Sequence, residues 1–160
     1  MWIRKTINEF RLFWKNYLFQ SVLAVFALAL AMLILNIGKR PVLIASIGAT
    51  AFIAFAMPGE LAAKPKSIIG GHLIGFLSGA IFSVVPHSST IGSTIVYSFA
   101  VGLSLFLMVV LDFEHPPASG TALAIVSEDF SLNTFIGLFT SILIILIVAH
   151  IFRGKLRNLV

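Results

Sequence analysis

The sequence predicts an all-α fold: a polytopic transmembrane helix bundle of two similar halves, each with a short or broken helix between longer spans. Three observations lead there. Of the 160 residues 59% are hydrophobic and 11% charged, with a mean hydropathy of +1.05. A soluble domain carries about 25% charged residues, so this chain cannot cover a water-facing surface. The charges are gathered in short clusters that leave uncharged runs of helix length. Those runs also follow one order twice: long, then short and opened by proline, then long.

The segments follow in chain order. Residues 1–15 hold Arg4, Lys5, Arg11 and Lys15 among Trp2, Phe10, Phe13 and Trp14. Cations and aromatic rings both favour the headgroup layer, and no small-residue cleavage site follows closely. The segment therefore reads as a basic amphipathic helix lying in the interface. The transmembrane domain covers residues 16–152. Asn16–Gly38 is an uncharged span. Pro41–Gly59 is uncharged but marginal in length, since crossing about 30 Å of hydrocarbon takes roughly 20 residues. Glu60–Lys66 is a polar link. Ser67–Val85 and Ile91–Leu111 are full runs, separated by Pro86-His87-Ser88-Ser89. Ala118–Val126, opened by His115-Pro116-Pro117, is too short to cross alone and reads as a half-helix. Phe130–Phe152 is the last span, and residues 153–160 form a basic tail.

Two topologies fit: four spans with two re-entrant segments, or six crossings with the second and fifth short. Both leave the termini on one side. The basic ends place that side in the cytoplasm, with the bundle in the cell's inner membrane. Six crossings also bring Lys64 and Lys66 inside, which the positive-inside bias favours. Under six crossings the halves run in opposite directions. Short segments at matching places in inverted halves point to a binding site between them.

The net charge of +5 comes from 11 Lys and Arg against 6 Asp and Glu. The basic residues flank apolar runs and make no patch, so nucleic acid is not an expected partner. The absence of cysteine excludes disulfides and thiolate chemistry. No sequence pattern of a nucleophile elbow, zinc protease or phosphate loop is present, so an enzyme is not expected, nor is a cofactor. Asp112, Glu114 and His115 lie too close together in sequence to converge easily, and no metal is expected.

Three stretches carry chemistry. In Asp112-Phe113-Glu114-His115-Pro116-Pro117-Ala118-Ser119-Gly120-Thr121, proline at the first helical position predicts a helix starting at Pro116 or Pro117. Its unsatisfied first-turn N–H groups, on Ala118, Ser119 and Gly120, would favour an anion. Gly120 lets a solute approach the backbone. Ser119 and Thr121 add hydroxyls, and His115 adds a group that titrates near neutrality. In the second stretch, Ser46, Gly48 and Thr50 lie in an uncharged run, either packing helices closely or lining the path. In the third, Lys64-Pro65-Lys66-Ser67-Ile68-Ile69-Gly70-Gly71-His72, a helix opening at Lys66–Ser67 puts His72 about one turn below the surface. Such a group is by default a functional hypothesis. Arg40 and Lys66 are candidates for attracting anions, and Lys39 and Arg40 are alternatively interface anchors.

These three blocks, with Ala45-Ser46-Ile47-Gly48-Ala49 upstream and Thr121-Ala122-Leu123 after the prolines, resemble the HPP family of small integral membrane proteins over residues 10 to 155. Ala118-Ser119-Gly120 stands where that family usually has Gly-Gly-Ala. Lys64-Pro65-Lys66-Ser67 stands where it often has Gln-Pro-Arg-Asn. The resemblance implies a transporter, usually described with four spans, whose photosynthetic members are regarded as nitrite transporters. The expectation is therefore membrane transport of a small inorganic anion, nitrite favoured. The substrate would meet His115, Pro116, Pro117, Ser119, Gly120 and Thr121 with Ser46, Gly48, Thr50, Gly71 and His72. A passive channel, a transporter of another small solute, and a non-transporting scaffold or partner subunit are the alternatives. The partners expected are the lipid bilayer and, for a 17.3 kDa bundle this short, further copies of the chain.

Overall fold

The computed structural model describes residues 2–35, 40–128 and 130–160. Lys39 lies outside the described residues, as do the side chains of Trp2, Arg4 and Lys5. Every regular element among the described residues is helical. The helices are α1 (Trp2–Leu35), α2 (Pro41–Ala56), α3 (Pro65–Ser83), α4 (Thr90–Val110), α5 (Pro117–Ser127) and α6 (Leu132–Ile151). Short 3-10 turns cover Leu61–Ala63 and Arg153–Lys155.

The starts of these helices are written in the chain. Proline opens α2, α3 and α5, where its missing N–H costs nothing and its fixed φ suits the first turn. Ser89 and Ser131 cap α4 and α6, their side-chain oxygens accepting from the N–H groups of Gly92 at 3.0 Å and Thr134 at 3.1 Å. α1 is broken at Phe13, whose backbone is not helical (φ −122°, ψ 16°).

Four helices are long and apolar enough to cross a membrane: α1 over Glu9–Leu33, α3, α4 and α6. α2 has 16 residues and α5 has 11. At 1.5 Å per residue they reach only about 24 and 16 Å. α5 is tolerated because it is enclosed: it packs on α2, α3 and α4, and most of its side chains are buried, whereas α2 packs on α1, α5 and α6 and leaves Phe52 exposed on its outer side.

The contacts at the helix ends fix the directions. On one face, buried Gln20 of α1 donates to the carbonyls of Phe55 at the end of α2 and of Arg157 in the tail, and accepts from the Arg157 N–H. The Leu159 N–H reaches the Ala56 carbonyl, and Lys66 at the start of α3 meets Asp112 beyond the end of α4. On the opposite face, Glu128 at the end of α5 accepts from the N–H of Val42 at the start of α2. The six helices therefore alternate in direction, the order that six crossings require. Lys64–Lys66 lie on the face that holds the C-terminal tail.

The halves α1–α3 and α4–α6 are related as an inverted pair. α1 packs on α2 and α6, as α4 packs on α5 and α3. α2 packs on α6, as α5 packs on α3. The two remaining pairings, α2 with α5 and α3 with α6, are their own counterparts and lie on the axis. A protein without cysteine makes this testable. Exposed Lys64 and Ser88 terminate opposite ends of α3 and its connection. Single cysteines at Lys64→Cys and Asn158→Cys are expected to label from one side of a sealed vesicle, and Ser88→Cys from the other. Labelling of all three from one side would refute the alternation.

Candidate functional site

α3 carries Gly71, Gly75 and Gly79 at intervals of four, so all three lie on one stripe. A Cβ added at Gly75 would stand 2.2 Å from the Ala118 carbonyl oxygen, and one at Gly79 2.6 Å from that of Ala122. At Gly71 it would stand 2.7 Å from His115 Cβ. The stripe thus seats α5 and the residue preceding its prolines directly on the α3 backbone. This close approach carries His72, one position beyond Gly71, to α5 and α2.

Where α2, α3 and α5 meet, five buried polar side chains close on one another. His72 Nδ1 is 2.7 Å from Thr121 Oγ1, and His72 Nε2 is 2.8 Å from Thr50 Oγ1. Thr50 Oγ1 is also 3.0 Å from His115 Nε2 and 3.1 Å from the Ser46 carbonyl. Thr121 Oγ1 is 2.9 Å from Ser46 Oγ, which lies 2.7 Å from the Pro117 carbonyl. His115 Nδ1 donates to the Ala62 carbonyl at 2.7 Å. The two imidazole rings are 5.0 Å apart, and His72, His115, Thr50 and Thr121 have no exposed surface. Each polar atom has a partner, as burial demands. Histidine and hydroxyl groups supply both donors and acceptors here, and no full charge is needed to satisfy the cluster.

Of the residues singled out in the sequence, Ser46, Thr50, His72, His115 and Thr121 are brought together. Pro117 joins through its carbonyl, Gly120 packs at the α2 crossing with its Cβ position 3.2 Å from Ser46 Cβ, and Gly71 packs under His115. Pro116 caps the helix start with its ring exposed, and Ser119 is half-buried outside the network. Gly48 faces open space, with nothing within 4 Å of its Cβ position, so it neither packs closely nor lines the cluster.

Three expectations are corrected. The first-turn N–H groups of α5 are not all unsatisfied: Ala118 donates to the His115 carbonyl at 2.9 Å and Ser119 to that of Pro116 at 3.1 Å. Pro116 already has helical backbone angles, so the turn closes on itself before α5 begins. His72 is deeper than one turn, because α3 opens at Pro65 and seven residues of rise put it about 10 Å in. The two cations proposed to draw anions are engaged. Lys66 is bonded to Asp112 at 2.7 Å and lies over the Phe113 ring, and Arg40 donates to the Glu128 carbonyl at 3.2 Å. The Lys66 ammonium holds the exposed Asp112 carboxyl below its ordinary range. This tie therefore acts above that range and is lost as pH falls through the lowered value, with a small effect at so exposed a site.

The inverted halves share a cross-tie. Arg40, just before the proline of α2, donates to a carbonyl just beyond α5. His115, just before the prolines of α5, donates to the Ala62 carbonyl beyond α2. Sequence reading missed Gln20, which gives no motif, and the Gly71/Gly75/Gly79 stripe, whose four-residue spacing is a legible signal. It also gave no role to His150, which with Arg153, Asn158, Ala63 and Pro65 lines a cleft of about 440 Å³ on the face of the tail. Among the described residues no three His, Asp or Glu side chains converge as metal ligands; His115 points inward while Asp112 points out to Lys66.

Comparison with known proteins agrees with this architecture. The chain is similar to a transmembrane protein of Dictyostelium discoideum, 34% identical over 85 residues, covering 53% of this chain and 30% of that one. A second transmembrane protein of the same organism is 26% identical over 122 residues, covering 76% of this chain and 38% of the relative. The chain thus spans about a third of the curated relatives it matches. No solved structure matches it. The family described as "HPP, transmembrane region" matches residues 10–158, nearly the whole length, and takes in both short helices and the buried cluster between them. This chain belongs to the HPP transmembrane-region family.

Proposed function

We propose that the chain moves a small anion across the membrane, and that the buried Ser46–Thr121–His72–Thr50–His115 cluster is where the solute is handled. The observation that carries this reading is the cluster's position. Polar groups cost free energy inside a bilayer protein and tend to mark solute paths. Here they sit at the axis of two inverted halves, between two helices too short to span, where such transporters place their sites. The groups suit a small solute that accepts hydrogen bonds, since the hydroxyls and imidazole N–H groups can turn toward it. The cleft lined by His150 and Arg153 offers a basic approach from the face of the tail. Nitrite is the favoured anion because of the family resemblance. With Arg40 and Lys66 engaged and two first-turn N–H groups of α5 satisfied, the solute's partners in this reading are the side chains of the cluster.

Purified protein in liposomes is expected to pass nitrite above the protein-free rate in a screen that includes nitrate, formate, bicarbonate and chloride. Thr121→Val keeps the side chain's shape and removes the hydroxyl between Ser46 and His72. It is expected to lower that flux about tenfold or more, the factor that 1.4 kcal/mol on a barrier produces. Flux that responds to an imposed proton gradient marks a coupled carrier, and flux indifferent to it marks a passive channel. No flux of any anion would sink the transport reading in favour of a scaffold or partner subunit.

A further inference from the structure

The hydrogen bonds in the cluster are not independent, because carbonyls stand at both of its ends and each can only accept. The Ala62 carbonyl can only accept, so His115 Nδ1 carries a proton. A neutral His115 then has a bare Nε2, and the Thr50 hydroxyl is its donor. Thr50 has one proton, so when it serves His115 the Ser46 carbonyl at 3.1 Å goes without it, and the Thr50 oxygen accepts from a protonated His72 Nε2. A neutral His72 then has a bare Nδ1, which takes the Thr121 proton. Thr121 in turn accepts from Ser46, whose single proton is then withheld from the Pro117 carbonyl 2.7 Å away. The neutral cluster that gives every imidazole nitrogen a partner is one directed chain with the two histidines in opposite tautomers and the Ser46–Pro117 bond unmade.

One added proton completes the Ser46–Pro117 bond and is accommodated in two ways, each leaving the Thr50–Ser46 carbonyl contact without a proton. With His115 doubly protonated, its Nε2–H donates to Thr50, Thr50 donates to His72 Nε2, and His72 Nδ1–H donates to Thr121. Thr121 then donates to Ser46 and Ser46 to the Pro117 carbonyl, so the whole chain has reversed. In the other arrangement, the His115 Nε2 proton passes to Thr50 Oγ1 as the Thr50 proton passes to His72 Nε2. His115 becomes neutral and His72 doubly protonated, and nothing else changes hands. A second added proton would put two imidazolium rings 5.0 Å apart, and like charges at that distance repel.

We propose that these five side chains are a proton relay in which His72 and His115 share a single excess proton, exchanged through the Thr50 hydroxyl. The surroundings leave the pair to each other. α2 and α5 carry no ionisable side chain at all, and α3 carries only Lys66 besides His72. Lys66 is bonded to Asp112 at the face, while Glu60, Lys64 and Glu114 of the connecting loops are exposed. α4 contributes only Tyr97, whose ring packs on His87 at the far end. That the shared proton drives solute movement rests on the transport reading. The relay itself does not, and it can be tested without any solute.

The experiment is nitrogen-15 magnetic resonance of histidine-labelled protein in lipid nanodiscs, with His87→Gln and His150→Gln removing the two other histidines. At neutral pH, His115 is expected as the Nδ1–H tautomer and His72 as the Nε2–H tautomer. On acidification the two rings are expected to change together, each partly, as one proton is shared. Thr50→Val removes the bridge, so His72 is expected to move its proton to Nδ1, where Thr121 still accepts, and the rings to titrate separately. Thr50→Ser restores the hydroxyl and the wild-type pattern. Like tautomers in the wild type would overturn the relay. So would one ring titrating without the other, a pair that takes no proton before unfolding, or a Thr50→Val spectrum matching the wild type. If the tautomers and shared titration hold while liposomes pass no anion, the relay stands and the transport reading falls.

Discussion

Replacing Gly75 by valine is expected to abolish assembly of the bundle, whereas the same change at Gly102 leaves it folded. The first Cβ atom alone would stand 2.2 Å from the Ala118 carbonyl oxygen. That oxygen belongs to the backbone of α5, so no side-chain rotation relieves the clash. α5 would have to move away from α3, and Ala118 and Thr121 would move with it. Overpacking a core costs about 1–3 kcal/mol even where side chains can shift, and more where backbone must. Against a total stability of about 5–15 kcal/mol, a displacement along the whole of α5 is expected to be decisive. At Gly102 nothing lies within 4 Å of the Cβ position. Size-exclusion profiles and melting in detergent give the comparison. A monodisperse Gly75→Val protein melting with Gly102→Val would show that α5 does not depend on this contact.

The same contact explains what could be read from the chain and what could not. Helix number, order and rough bounds were legible because each is a local matter. Charge clusters bound the apolar runs, and Pro41, Pro65 and Pro117 mark helix starts through their own stereochemistry. The inverted relation of the halves was legible from the repeated long–short–long order. Spatially Ser46 meets Thr121, because α2 and α5 are antiparallel and pair across the axis instead of superposing. The Gly71/Gly75/Gly79 stripe was visible as a spacing, but its partner was not, since spacing does not say which helix comes close. His72 and His115 were each noticed alone. Their joining through Thr50 depends on three helices meeting, which no local pattern encodes. The engagement of Lys66 and Arg40 was hidden for the same reason: Asp112 lies 46 residues from Lys66, and the Arg40 acceptor is a backbone carbonyl.

His72→Leu is expected to yield a folded protein that transports almost nothing. The outcome depends on which partners the substitution strands. Thr121 loses His72 Nδ1 but keeps Ser46 Oγ at 2.9 Å. Thr50 loses His72 Nε2 but keeps His115 Nε2 at 3.0 Å and the Ser46 carbonyl at 3.1 Å. Neither hydroxyl is left as an orphan, which is the costly outcome of removing one member of a buried pair. Leucine is branched, apolar and of comparable bulk, so the space between Gly71 and Gly75 on α3 and the α5 backbone stays filled. The loss of stability is therefore expected to be about 1–2 kcal/mol, within the range of an ordinary core substitution. Flux is a different matter, because the His72 ring joins the Thr121 hydroxyl to the Thr50 hydroxyl and so links the side chains of the Thr121–Ser46 arm to those of the Thr50–His115 arm. Without it Ser46–Thr121 and Thr50–His115 still tie α2 to α5, but the path between those two ties through the His72 ring is broken, and anion flux per folded molecule is expected to fall by about tenfold or more, at least 1.4 kcal/mol on the barrier. If His72 only holds the three helices together, the opposite pattern appears: melting drops by several degrees and the surviving folded protein transports normally. Measuring melting and initial uptake on the same His72→Leu preparation separates a group that handles the solute from one that only packs.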